Sequence, residues 1–306
     1  MKSGWRVIDC IGLEGSLGYR RGQIIVRQPE KESEVAIPLA QVAVVLIGSK
    51  TSVSGAVVMK LSEYDISLIV CDWRQVPVAG AIPWHDHTRV GIRQRCQAEL
   101  SLPRKKQAWA RVISAKIYGQ SRTAEAITGY PSAKLNELAG KVRSGDPDNH
   151  EARAARIYWS LISDGQGFSR IPGAGEAGWN SALDYAYTLL RGYGIRAITS
   201  AGLAGTLGLF HRGRSNAFAL VDDLMEPFRP MVDQIVFSTV TPAEDLTPWI
   251  KQTLSIRMTG SFNGDGKSLP TVFNEFAQHY GLYVEGEVKS LKVPQWKGLL
   301  DAGEGQ

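Results

Sequence analysis

Trp84-His85-Asp86-His87-Thr88 (WHDHT) marks the point at which the sequence changes character, and the contrast across it sets the fold class. Upstream, Trp5 to Ile11, Gln23 to Gln28, Val35 to Ile37, Val42 to Ile47 and Ile66 to Asp72 are short β-branched runs bounded by Gly, Pro and charged turns. One helix interrupts them at Ser52 to Tyr64 (SVSGAVVMKLSEY), and Val76 to Trp84 closes the set. Downstream, helical periodicity takes over. It predicts helices at Gln107–Tyr118, Ser132–Arg143, Asp148–Ile162, Ser181–Leu190, Asn216–Ile235, Leu246–Met258 and Leu269–Tyr280, with a frayed tail after Pro294. The expectation is an α+β protein: a small β-rich domain over residues 1–84, a linker at 85–88 and a larger all-α domain over 89–306.

At 306 residues and 43% hydrophobic content the chain can bury a large core. No run reaches the ~20 apolar residues of a membrane helix, and MKSGWRVIDC lacks a secretory apolar stretch, so a cytoplasmic location without a membrane is expected. Cys10, Cys71 and Cys96 are odd in number and widely spaced, which predicts free thiols. The net charge is only +5, yet Thr88 to Arg122 carries nine Lys or Arg against the single acid Glu99. Such a tract suits phosphate neutralisation with counterion release; a solvated helix face is the plain alternative.

Two stretches hold the candidate chemistry. In DPDNHEARAARIYW (Asp146 to Trp159), Asp148 reads as a helix cap and Glu151, three residues on, as the far half of a capping box. Spacing alone favours that structural reading; the functional one is that Glu151 is a carboxylate turned into a cavity, with Ala154, Ala155 and Tyr158 behind it. In HRGRSNAFALVDDLMEPFRPMVD (His211 to Asp233), Phe218, Val221, Met225, Phe228 and Val232 form the core face of one helix capped by Asn216. Its other edge carries Asp222, Glu226, Arg229 and Asp233. Clustered acids repel unless a cation lies among them, and Pro227 and Pro230 predict a kink beside them. Arg229 offers Glu226 an ordinary ion pair, and His211 sits in a basic loop just upstream. Were Glu151, His211 and Glu226 to converge, their oxygen and nitrogen donors would suit Mg²⁺ or Mn²⁺. Two other motifs are set aside. GAGEAG (Gly173 to Gly178) matches a dinucleotide pattern but lacks the strand that must precede it, and His85, Asp86 and His87 read as solvated linker.

Together with NSALDYAYTLLRGYGIRAITSAG (Asn180 to Gly202), these stretches resemble the CRISPR-associated adaptation integrase, the larger of the two universal spacer-acquisition proteins. The likeness extends over nearly the whole chain and is greatest to the version found beside single-protein effector nucleases. It implies a divalent metal, Mg²⁺ or Mn²⁺, held by Glu151, His211 and Glu226, with Asp223 as a further acid. It implies DNA contacts along the basic tract, for which Arg89, Arg93, Arg104, Lys105, Lys106, Arg111, Arg122, Arg212 and Arg214 are the candidates. It also implies a homodimer joined through the N-terminal domains, two such dimers flanking a dimer of a small ferredoxin-like partner; the effector nuclease stays open as a further partner. The implied reaction is DNA integration, with endonuclease activity besides. The 3′-hydroxyl of a captured double-stranded fragment attacks a phosphodiester at the edge of a CRISPR repeat by transesterification. A metal-dependent, structure-specific nuclease of repair and a non-catalytic DNA-binding scaffold are the competing readings.

Overall fold

The structure, a computed structural model, describes residues 6–83, 87–163, 168–173, 178–211 and 213–300. The chain divides into two compact units, Met1–Thr88 and Arg89–Gln306. The first is strand-rich and the second helical, the α+β arrangement expected.

In the first unit, β1 (Arg6–Cys10), β5 (Val42–Ile47), β7 (Ser67–Cys71) and β8 (Pro77–Ala81) form a sheet in the order β1-β5-β7-β8. The sequence VAVVLI of β5 is buried at all its positions because the strand lies between two parallel neighbours, Val45 facing Ile8 on one side and Leu68 on the other. A second sheet runs β4-β3-β2-β6, from β2 (Gly15–Arg20), β3 (Gln23–Arg27), β4 (Val35–Pro38) and β6 (Thr51–Val53). Sequence reading missed β2 and β6. β2 contains two glycines and buries only Leu17, so it has no alternation to read; Arg21 and Gly22 join it to β3 with both φ positive, as a type I′ turn needs. Helix α1 (Gly55–Glu63) starts where the Ser54 hydroxyl accepts from Val57 N, and it sends Val57 and Leu61 into the core with Ile8, Leu17, Ile24 and Val45.

The second unit holds α2 (Val90–Glu99), α3 (Leu102–Thr128), α4 (Ala133–Lys141), α5 (His150–Ile162), α6 (Trp179–Ser200), α7 (Ala219–Leu224), α8 (Arg229–Phe237), α9 (Pro248–Arg257) and α10 (Leu269–Glu285). α3 is its axis, packing against α4, α5 and α8, while α6 packs on α7, α8, α9 and α10. A side chain at Gly119 would meet the Pro230 ring at 2.9 Å and Trp296 at 3.2 Å, so a bare Cα is what lets α8 close on α3.

The single helix expected over Asn216–Ile235 is broken. α7 ends at Leu224, Glu226–Phe228 form one turn of 3-10 helix, and α8 restarts at Arg229, because Pro227 and Pro230 lack the donors to continue the ladder. Nor does Asn216 cap a helix; its side-chain oxygen accepts from Phe218 N in a local turn and its amide donates to Asp222. Nor is the described part of the tail after Pro294 frayed. Trp296 is fully buried and donates its indole N–H to Gln234 Oε1 at 2.9 Å. The three cysteines are free, as expected, and burial pushes the Cys10 and Cys71 thiols up to about 12. Among the described residues no helix is long and apolar enough to cross a membrane. Residues 168–173 form no strand ahead of GAGEAG, whose residues 174–177 lie outside the described residues, as do His85 and Asp86.

Candidate active site

The start of α5 is not capped as expected. Asp148 is exposed and pairs with Arg143 at 2.8 Å. Asp146, two residues earlier and at φ 48°, accepts from His150 N at 3.0 Å and Glu151 N at 2.9 Å, while Asn149 caps Ala152 N. With the first amides satisfied from outside the helix, the Glu151 carboxylate is not needed in a capping box. It projects from the first turn and accepts from Lys116 Nζ at 2.7 Å.

Lys116 sits on the inward stripe of α3, among the buried Val112, Ile113, Gly119 and Gln120. Its ammonium also lies 2.6 Å from Glu226 Oε2, whose position is fixed by the 3-10 turn between α7 and α8. One cation therefore stands between two carboxylates from distant parts of the chain. Arg229 Nε flanks Glu226 from the other side at 2.9 Å, and its guanidinium lies 4.5 Å over the Tyr187 ring. Burial alone would raise the Glu226 carboxyl; Arg229 and Lys116 outweigh it and hold the group below the ordinary value. Behind this pair, Asp233 accepts from Tyr158 at 2.9 Å and from Tyr187, and burial pushes its carboxyl up to about 6. The acids that crowd in sequence thus separate in space: Asp222 pairs with Arg191, Asp223 with His211, Glu226 with Lys116 and Arg229, and Asp233 with two tyrosines.

Asp223 is fully buried and builds the loop that carries His211. Its carboxylate accepts from the backbone N–H of Leu209, Phe210 and His211 and from His211 Nδ1 at 2.6 Å. A Cβ on Gly208 would meet an Asp223 oxygen at 2.8 Å, so the tight wrap needs glycine there. A carboxylate can only accept, so Nδ1 carries the proton and Nε2 is left for a ligand. The hydrogen bond to Asp223 raises the imidazole above its usual range. His211 opens onto a hollow of about 480 Å³ that Lys105 also lines.

His211 and Glu226 feel each other's charge. Among the described residues, however, no three His, Cys, Asp or Glu side chains stand close enough to hold an ion, and it is the Lys116 ammonium that lies between the two glutamates. The donor set still fits a hard divalent cation. Glu226 Oε2 is buried and is held by Lys116 as an ion pair at 2.6 Å without a hydrogen bond of its own, which leaves a carboxylate lone pair for a cation. Sequence reading counted Lys116 only as one more basic residue, although a lysine in the apolar stripe of α3 was a visible signal; the role of Asp233 was missed.

The candidate DNA-binding residues divide. Arg93 is buried and bonded to Glu285, Gln278 and the Ala201 carbonyl, and Arg104 is turned onto the Tyr283 and Val288 carbonyls and the Tyr283 ring, so neither reaches a phosphate. Arg89 pairs with Glu285 and Arg122 with Glu125. Lys106, Arg111 and Arg214 are exposed and Lys105 half-buried, and Arg212 lies outside the described residues.

Residues 11–245 match the family model described as CRISPR associated protein Cas1. The chain is 34% identical over 255 residues to the CRISPR-associated endonuclease Cas1 of Neisseria meningitidis serogroup C (strain 8013), with 82% of each chain covered. Among solved structures it is similar to a casposase bound to integration product, with TM-score 0.77, 17% identity, and 99% and 96% of the two chains covered. It is also similar to a chain of a Cas6-RT-Cas1–Cas2 complex, with TM-score 0.74 and 17% identity, covering 98% of this chain and 37% of that one. At such identities the structural likeness speaks for the fold, while the family match spans most of the sequence: the chain belongs to the Cas1 family of CRISPR-associated proteins.

Proposed function

We propose that this protein is a metal-dependent DNA integrase of CRISPR adaptation, with Glu151, His211 and Glu226 as its centre. The observation that carries the reading is the closure of Glu151 and Glu226, from separate elements, on one cation position, with His211, oriented by a buried aspartate, within electrostatic reach of Glu226. A bound Mg²⁺ or Mn²⁺ would supply charge neutralisation and polarisation of a scissile phosphate. The chain's own residues do the rest. Asp223 holds His211 in the tautomer that offers Nε2, and Asp146 aims Glu151 from the first turn of α5. Arg229 keeps Glu226 ionised, and the exposed lysines and arginines of the basic tract take the phosphate backbone.

Membership of the Cas1 family and likeness to a casposase bound to integration product support strand joining over simple hydrolysis. In that reaction the 3′-hydroxyl of a captured fragment attacks a phosphodiester at the edge of a CRISPR repeat, and the bond from that phosphorus to the 3′-oxygen of the flanking nucleotide breaks, so the fragment is joined to the repeat's 5′ end, a 3′-hydroxyl is released and no covalent protein intermediate is needed. The solved Cas6-RT-Cas1–Cas2 complex supports a Cas2 partner for this chain, and the N-terminal unit is assigned to homodimerisation. A cytoplasmic location follows from the same role.

The test is a joining assay with a 3′-hydroxyl duplex, a repeat-bearing plasmid and Mn²⁺. Glu151→Gln should lower joining at least a hundredfold while retaining DNA binding. Undiminished joining by that variant would remove the assignment, and cleavage without joined products in the native protein would favour the nuclease of repair.

A further inference from the structure

Asp233 has no part in the chemistry proposed above, yet three elements around that centre meet at it. Its carboxylate comes from α8, is buried, and accepts from the hydroxyls of Tyr158 on α5 at 2.9 Å and of Tyr187 on α6. A buried carboxylate is costly unless its lone pairs are met. Here two phenols meet them, and neither comes from the aspartate's own helix. The bonds therefore gauge the gaps from α8 to α5 and from α8 to α6 rather than any local turn.

Each bond leads on to a glutamate. Tyr158 follows Glu151 on α5 at a spacing of two helical turns, so the two side chains leave the same face of the helix. Pinning Tyr158 sets where the start of α5, and with it Glu151, can lie. Tyr187 leads to the other glutamate. The Arg229 guanidinium lies 4.5 Å over its ring, and Arg229 Nε stands 2.9 Å from Glu226 Oε1. Burial alone would lower the Arg229 guanidinium; Glu226, Tyr187 and Asp233 outweigh it and raise the group above its ordinary value. Phenylalanine rings would fill the same space as these tyrosines, so what the hydroxyls add is direction: a satisfied buried polar network fixes one arrangement of the elements it joins.

We propose that Asp233, with Tyr158 and Tyr187, is a positioning unit that sets the separation of Glu151 and Glu226 and thereby the affinity of their shared site for a divalent cation. This rests on the metal-dependent reading above. The experiment measures Mn²⁺ binding without DNA, from the loss of the free-ion electron paramagnetic resonance signal, at a temperature where circular dichroism shows every variant folded. Tyr158→Phe and Tyr187→Phe each delete one hydroxyl and keep the ring. Each should weaken Mn²⁺ binding by about tenfold, the lower end of what the outer partners of a metal site contribute. Once either bond is gone the separation is no longer set, so the double variant should lose much less than the product of the two. Native protein brought to the variants' stability with urea should keep its affinity. If urea weakens binding as much as the substitutions do, the hydroxyls act through stability alone and the proposal falls. Native affinity in both single variants, or a double variant that loses the full product, would overturn it as well. A native protein that binds no Mn²⁺ would instead remove the metal-dependent reading, and this proposal with it.

Discussion

Lys116 occupies the place where the proposed reaction needs a divalent ion, and its removal should therefore reveal what holds the two glutamates together. With Lys116→Met, Glu151 and Glu226 face each other without the shared cation, and Glu226 keeps only Arg229. Breaking a buried ion pair from one side costs about 3 kcal/mol, on the order of 10 °C in Tm for a unit of this size. Added Mn²⁺ should return more stability to the variant than it gives the native protein; thermal melts in chelator and in Mn²⁺ that show equal ion effects on both would count against the metal site. Asp233 makes a separate statement about pH. Its folded carboxyl titrates at about 6 instead of near 3.8, chiefly through burial. The folded protein thus holds this proton more tightly than the unfolded chain, and between pH 4 and 6 the unfolded state loses it first. Stability from this group falls as pH rises across that window, by about 3 kcal/mol, and is level above it. Asp233→Asn should lack that decline, so the urea-midpoint difference between native and variant should shift against the native protein from pH 4 to 6; a constant difference would refute the assignment.

At the scale of elements, what was legible depended on whether a signal was local. The periodic helices and the buried strands VAVVLI and SLIVC could be read because burial repeats along one element. The break at Pro227 could be read because proline acts at its own position. The end of α5 could not, because Asp146, Pro147, Asp148 and Asn149 offer several caps of similar chemistry and only the backbone path chooses among them. Asp148 has the spacing, but Asp146 has the geometry. That choice matters to the site, since the Asp146 carboxylate fixes both the Glu151 amide and the His150 ring. Asp146→Ala should cost about 1 to 2 kcal/mol as a lost cap. It should lower joining further than that loss of stability explains, because Glu151 then leaves from an untethered turn. Melting and joining rates on the same preparation test this; a joining rate equal to that of the native protein at a temperature where both are folded would show that the cap is not a positioning device.

For the whole molecule, the misleading quantity was charge counted along the chain. Nine basic residues between Thr88 and Arg122 suggested one continuous phosphate track, but a helical unit must also use cations inside itself, and composition cannot tell an internal arginine from an external one. The structure turns Arg93 and Arg104 onto carboxylate and carbonyl oxygens of α10 and its neighbours, and Lys116 into the glutamate pair, leaving Arg95, Lys105, Lys106 and Arg111 as the outward charges of that tract without an ion pair among the described residues. Counterion release converts this division into a measurable slope. Each phosphate neutralised contributes about 0.9 to the fall of log K with log salt concentration, so Lys106→Ala and Arg111→Ala should each reduce the slope for duplex DNA by about 1 without altering the melt. Arg93→Ala should do the opposite: the slope stays at the native value while Tm drops, since the Glu285 carboxylate it leaves behind is buried. Should Arg93→Ala change the slope and leave Tm alone, the inward assignment of that arginine would be wrong and the track would extend along α2.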